Sequence, residues 1–341
     1  IIPYEIAFVY FVNSSKLKPF TKHIDETEKA AFTGGSKFCD GDTIMARITP
    51  CLENGKTAFV DILDKNEVAF GSTEFIVMRS RKGISDPQFV YYLAISPEFR
   101  NVAIKSMVGS SGRQRVQQDV LNNVELLVPS LGEQEKIGAF LAALDNKIAL
   151  NNKINDNLEQ QAQALYQKCF FETGNTGELA DVCDFSKDKI AVSELSVRNY
   201  FSTENMLPDK KGTTEAANLP AVQQTTACHR GNVLVSNIRP YFKKILYCQC
   251  EGGCSNDVLC FVPKSPELSA YLYCTLYADN FFDFMVAGSK GTKMPRGDKK
   301  QIMTYKVCMP SESQLKDFNT AVLPMFQLIE SNRRENVNSL C

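Results

Sequence analysis

Two short glycine loops hold the side chains best suited to chemistry, Met107-Val-Gly-Ser-Ser-Gly-Arg-Gln-Arg115 and Met285-Val-Ala-Gly-Ser-Lys-Gly-Thr-Lys293. Each sets Ser, Arg, Lys, Gln or Thr beside Gly, a mixture that allows close approach to phosphates and bidentate contacts to base edges. The candidates are Ser110, Arg113, Gln114 and Arg115 in the first loop, and Lys290, Thr292, Lys293 and Arg296 in and just after the second. A second set lies around the end of a Gly-strand-Pro unit: Arg47 and Lys56 in one place, Asn237, Arg239, Tyr241, Lys243 and Lys244 in another. Taken singly, any of these fits an ordinary solvated loop charge; their recurrence in matching places is what singles them out.

Other chemistries lack their residues. No G-x4-G-K-[ST] phosphate cradle occurs, which removes an ATPase reading. His23 and His229 are the only histidines, and neither sits in a Ser-His-Asp or Cys-His arrangement. The segment Asn237-Ile-Arg-Pro-Tyr-Phe242 is only loosely like the Asn-Pro-Pro-aromatic site of amino-methyltransferases, with one Pro displaced. The 12 cysteines are scattered; the densest group, Cys248, Cys250, Cys254 and Cys260 with His229 upstream, has no paired C-x2-C hooks. A β-hairpin carrying small apolar Cys is expected there, and no metal set. The chain is expected to be non-catalytic by itself.

Stepping from these residues to what positions them, the chain repeats its elements in order. Gly41-Asp-Thr-Ile-Met-Ala-Arg-Ile-Thr-Pro50 matches Gly231-Asn-Val-Leu-Val-Ser-Asn-Ile-Arg-Pro240, a turn Gly before a strand that ends at Pro. Gly71-Ser-Thr-Glu-Phe-Ile-Val-Met matches Cys254-Ser-Asn-Asp-Val-Leu-Cys-Phe as a second strand. The stretches from Pro87 and Pro266 are helical in period, and each precedes one of the glycine loops. Tyr10-Phe11 falls on Tyr200-Phe201, which sets residue 1 near residue 191 and leaves 176–190 without a counterpart in the first half. One or two strands of that half are expected to be missing or supplied otherwise.

Each half closes on an S-x-x-E/Q capping box, Ser130 to Glu133 and Ser311 to Gln314, so a helix should start at each. The first runs without Pro from about Glu133 to about Phe170, roughly 57 Å at 1.5 Å per residue. Its heptad seam reads Ile137, Leu141, Leu144, Ile148, Asn151, Asn155 and Leu158, continuing to Ala162 and Leu165; the second reads Phe318, Val322, Met325, Ile329, Asn332 and Asn336. Asn at matching places would set register between two helices, or else lie on the surface of ordinary bundle helices. Pro324 should kink the second helix.

With 341 residues, 44% hydrophobic and 23% charged, the chain has the composition of two ordinary globular domains. No apolar run is long enough to span a bilayer, and the Ile-Ile-Pro start lacks the marks of a signal peptide, so a cytoplasmic location is expected. A net charge of -1 gives no overall nucleic-acid signature, but the stretches 100–116 and 290–306 are locally basic.

Val128-Pro-Ser-Leu-Gly-Glu-Gln-Glu-Lys-Ile137, with Leu144-Asp-Asn-Lys-Ile148, Asn151-Asn-Lys-Ile-Asn155 and Ala162-Gln-Ala-Leu-Tyr166, resembles the central helical region of type I restriction-modification specificity (S) subunits. The resemblance implies an α+β fold. Two tandem target recognition domains, each a mixed β-sheet with short helices, are joined by two long antiparallel coiled-coil helices in a pseudo-two-fold internal repeat. The divisions would be residues 1–130, 131–172, 173–311 and 312–341. It further implies that the domains read a bipartite site on double-stranded DNA, with the helix length setting the spacer. Two modification (methyltransferase) subunits would dock on the helices and methylate adenine from S-adenosylmethionine, a cofactor of the partner and not of this chain. Restriction subunits would join the same assembly. The different class to set against it is a coiled-coil protein-binding scaffold without DNA readout.

Overall fold

The computed structural model describes residues 8–24, 27–170 and 176–340. The chain divides into two compact units, Ile1–Ala149 and Leu150–Cys341. In the first, β1 (Phe8–Val12), β2 (Glu28–Ala31), β3 (Ser36–Cys39) and β6 (Val68–Gly71) form a sheet in the order β2-β1-β6-β3, with β1 and β6 parallel. β4 (Thr43–Ala46), β5 (Thr57–Phe59) and β7 (Phe75–Met78) form an antiparallel sheet in the order β5-β4-β7. β4 is buried along its whole length, and Ile44 joins Val12, Phe38, Ala69 and Phe75 in one core cluster. Gly41 enters β4 at φ +82°, a left-handed turn where a side chain would be strained.

Three short helices follow: α1 (Pro87–Ile95), α2 (Pro97–Lys105) and α3 (Gln118–Asn122). Pro occupies the first turn of α1 and of α2, where its missing N–H costs nothing, and Asp86 and Ser96 accept the backbone N–H of Phe89 and Phe99. α4 runs from Leu131 to Phe170 behind its capping box, where Glu133 accepts from both the backbone N–H and the hydroxyl of Ser130. Within the first unit α4 buries Gln134, Gly138 and Ala142, and Tyr92 donates to Asp145 at 2.6 Å. That stripe replaces part of the expected seam. Ile137 is 40% exposed, and Leu141, Leu144 and Ile148 are half-buried. Gly138 lies so close to α1 that a Cβ would meet Asp86 Oδ1 at 2.5 Å, and a four-residue spacing from that contact selects 134, 138 and 142.

The second unit repeats the plan. Its strands are β8 (Thr176–Glu178), β9 (Cys183–Phe185), β10 (Lys189–Ala191), β11 (Tyr200–Phe201), β12 (Gln224–Cys228), β13 (Val233–Ser236), β14 (Ile245–Tyr247), β15 (Gly252–Cys254), β16 (Val258–Pro263) and β17 (Lys306–Cys308). They form sheets β10-β12-β15-β11 and β14-β13-β16-β9, and a ribbon β17-β8. The helices are α5 (Leu179–Val182), α6 (Ser269–Tyr277), α7 (Asp279–Ala287), α8 (Lys299–Met303) and α9 (Glu312–Leu340). Phe11 and Val12 pair with Phe70 and Gly71 as Tyr200 and Phe201 pair with Gly253 and Cys254. With Gly71 matched to Cys254, Val12 and not Phe11 is therefore the counterpart of Phe201, and the expected alignment moves by one residue. The Cys group is packing: Cys228, Cys248, Cys254 and Cys260 are buried together with Phe201, Met206 and Leu234.

Residues 150–170 of α4 lie antiparallel to α9. Gln314 donates to the carbonyl of Cys169 at one end, while Asn155 accepts from Asn332 at 2.8 Å and Asn151 donates to Asn336 at 2.9 Å toward the other. The seam of α9 reads Phe318, Val322, Phe326, Ile329 and Asn332; Met325 is only half-buried and Phe326 takes its place. The helix continues through Pro324. Replacing Asn332 by Ala should cost about 1–3 kcal/mol, because the buried amide of Asn155 loses its partner, whereas Leu at both positions should be nearly neutral. Urea-unfolding midpoints of the two variants check this; equal losses would place the Asn pair outside the packed seam.

Candidate nucleic-acid interface

In each unit the glycine loop folds back onto the end of the Gly-strand-Pro strand. Ile48 bridges Arg115 in the first unit and Ile238 bridges Arg296 in the second, both antiparallel. A second bridge closes each loop on itself, Val108 to Arg115 and Lys290 to Arg296. The two expected groups of residues are thus brought together twice over. The same bridges correct one correspondence: the counterpart of Arg115 is Arg296, not Lys293. The second loop is shorter between its bridge residues by one position, which a comparison of letters alone does not expose.

Each site is built around a carboxylate absent from the sequence-based candidates. Arg115 grips Glu74 with Nε at 3.0 Å and Nη2 at 2.7 Å, and Arg47 Nε stands 3.4 Å from the same carboxylate. The Arg115 hydrogen bonds hold the Glu74 carboxyl below its ordinary range. In the second unit Arg296 reaches Asp257 at 3.0 Å. Arg47 N–H donates to the Glu74 carbonyl, and Asn237 N–H to the Asp257 carbonyl, so Arg47/Glu74/Arg115 and Asn237/Asp257/Arg296 are equivalent triplets. The signal that could have found them was present in the strand repeat, Ser-Thr-Glu against Ser-Asn-Asp. Asn237 is buried, and its side-chain oxygen accepts no hydrogen bond.

The remaining candidates divide by their partners. Ser110, Arg113, Thr292 and Lys293 are exposed on the loop tips, and Gln114 is half-buried with its carbonyl taking the Thr49 N–H. Lys290 pairs with Asp298 at 2.6 Å, and Lys243 with Asp279 at 2.8 Å. Lys56 donates to the carbonyl of Ser14 and Lys244 to that of Thr203; burial also pushes the Lys244 ammonium down. Those two lysines brace neighbouring loops rather than face outward. Arg239 and Lys243, both with left-handed φ, flank a single 3-10 turn that presents Tyr241 and Phe242 to solvent. Two flat aromatic faces between cations form a surface on which planar bases can stack.

Fold and site together define a tandem-repeat recognition protein, with paired loops where its sequence is most basic. Residues 32–160 match the family described as the type I restriction modification DNA specificity domain. By sequence the chain falls with the type I specificity subunits. It is 36% identical over 129 residues to the type I restriction enzyme EcoAI specificity subunit of Escherichia coli, covering 38% of this chain and 20% of that protein. It is 35% identical over 133 residues to the HindI specificity subunit of Haemophilus influenzae, covering 39% of this chain and 28% of that protein. The chain thus spans less than a third of the length of these relatives. The fold is that of the type I restriction-modification S subunit from M. genitalium, with a TM-score of 0.57 at 14% identity over 100% of this chain and 95% of that one. No helix among the described residues is long and apolar enough to cross a membrane.

Proposed function

We propose that this chain is the DNA-reading subunit of a type I restriction-modification complex. Its two recognition domains, residues 1–130 and 173–311, each read one half of a bipartite target. The long helices set the spacer and dock two methyltransferase subunits, which bind S-adenosylmethionine and methylate adenine; restriction subunits cleave unmodified DNA in the same assembly. The observation that carries the reading is the twofold recurrence of one arrangement, a loop Arg held by a carboxylate at the end of a Gly-strand-Pro unit. An Arg gripped along its Nε/Nη2 edge by a carboxylate keeps its other edge free in a defined plane, the geometry needed to meet guanine O6 and N7. The near-neutral total charge fits an assembly in which partner subunits make much of the phosphate contact.

Sequencing of modified adenines in hosts with and without this chain, in the presence of the methyltransferase partner, tests the proposal. One bipartite motif should appear only when the chain is present. Methylation that is unchanged by the chain, or methyl transfer by the chain without a partner, would overturn it. Binding of the complex to a duplex carrying that motif should weaken steeply as salt rises.

A further inference from the structure

The two units treat one pair of sheet edges differently. In the second unit β17 precedes the α9 capping box and is covered by β8, with Lys306, Val307 and Cys308 opposite Glu178, Gly177 and Thr176. The chain passes from β8 through α5 into β9, and β9 covers the edge of β16 with Phe185 opposite Phe261. Between the two strands Leu179 and Val182 are wholly buried in the unit's main core. One strand-turn-strand segment, residues 176–185, therefore closes two edges and fills the space between them.

The first unit has both edges and no such segment among its described residues. Residues 125–128 stand before the α4 capping box as 306–309 stand before that of α9, yet no strand pairs with them. β7, the counterpart of β16, pairs with β4 and has no strand on its other side. Leu127 is 104% exposed and Val128 49%, whereas Val307 on the covered ribbon is 4% exposed. Met78 and Leu126 are only partly buried at the rim of the cluster of Met45, Ile76 and Phe99.

We infer that this double edge of the first unit is a docking site for a polypeptide segment of the 176–185 kind. The occupant has an extended stretch to pair with 125–127, one helical turn carrying two aliphatic side chains spaced as in Leu179 and Val182, and a second extended stretch antiparallel to β7. The chemistry is strand addition: main-chain donors and acceptors on both edges supply the pairing, and the two aliphatic side chains set the register. The internal repeat states what the occupant must look like, because the second unit holds one on the equivalent edges. This inference does not rest on the DNA-reading role.

Hydrogen exchange of the full chain tests it at the amides of 125–128 and 76–79. Two additions are compared: a synthetic peptide with the sequence of residues 176–189, and a variant in which a copy of 176–189 is joined ahead of Ile1, where the corrected alignment sets residue 1 opposite residue 190. With either, exchange at both edges should slow at least tenfold. The same additions with Asp in place of the two aliphatic residues should leave it unchanged. Unchanged exchange with both the peptide and the graft would overturn the inference, as would equal slowing by the Asp versions. Edges that are already protected in the chain alone and open on dilution would identify a second copy as the occupant, and would also overturn it.

Discussion

An Arg115→Ala variant is expected to lose selectivity for one half of the DNA target, and Arg296→Ala for the other, each by about 1–3 kcal/mol, roughly five- to 150-fold. The two arginines hold equivalent positions in separate units, each anchored by a backbone bridge and a carboxylate. Fixing the guanidinium beforehand removes much of the rotamer entropy that a free Arg loses on binding. Glu74→Gln should then weaken the first half-site less than Arg115→Ala does, because the amide still accepts a hydrogen bond from Arg115. Competition binding by the chain with its methyltransferase partner, on duplexes scrambled in one half-site at a time, reads these effects. Loss at the same half-site from both arginines, or no loss from either, would remove the assignment.

Arg333→Ala should lower stability by about 3 kcal/mol at neutral pH. That is the low end for breaking a buried pair, since the Arg333 side chain keeps 26% exposure against 6% for Glu159. Arg333 Nη2 lies 2.9 Å from Glu159 Oε1, and Tyr277 donates to Oε2 at 2.8 Å. Burial pushes the Glu159 carboxyl up, and Arg333 and the Tyr277 hydrogen bond pull it part of the way back. Without Arg333 it must rise further. A carboxyl raised on folding contributes stability that is present below its unfolded value and lost as pH climbs through its folded one. The variant should therefore lose less near pH 5 than near pH 8, and Glu159→Gln added to it should recover most of the loss at pH 8. Thermal melts of the three chains at both pH values decide this; a loss independent of pH would mean that Glu159 is not the stranded group.

The elements of this fold can be read in the sequence wherever a local rule specifies them. Ser130 and Ser311 mark helix starts because each capping box is complete within four residues. Gly41 and Gly231 mark strand entries because each must take a positive φ. Asn151, Asn155, Asn332 and Asn336 stand out because a polar rung in an apolar seam has few other uses. Relations set by pairing across the chain are harder to read. The one-residue shift that makes Val12 the counterpart of Phe201 depends on hydrogen-bond register, and similar aromatic pairs in two strands match equally well either way. Phe326 takes the seam place of Met325, and α4 buries 134, 138 and 142, because the packing partner and not the heptad selects the inward face. Glu74 and Asp257 were passed over because a single acid in a strand repeat carries no spacing pattern; its meaning comes from the arginine folded onto it.

The two asparagine rungs between α4 and α9 also limit how that pair can slide. They are four residues apart on each helix, so a slip of four residues, about 6 Å, still leaves one rung made. In one direction Asn155 would meet Asn336 and Glu159 would face Asn332; in the other Asn151 would meet Asn332 while Asn155 faced Leu328. Slips of two residues leave every amide against an apolar neighbour. The pair therefore acts as a detent: it has one deep notch, shallower ones a helical turn away, and nothing stable between. Evolution of a new length along these helices would proceed in whole turns.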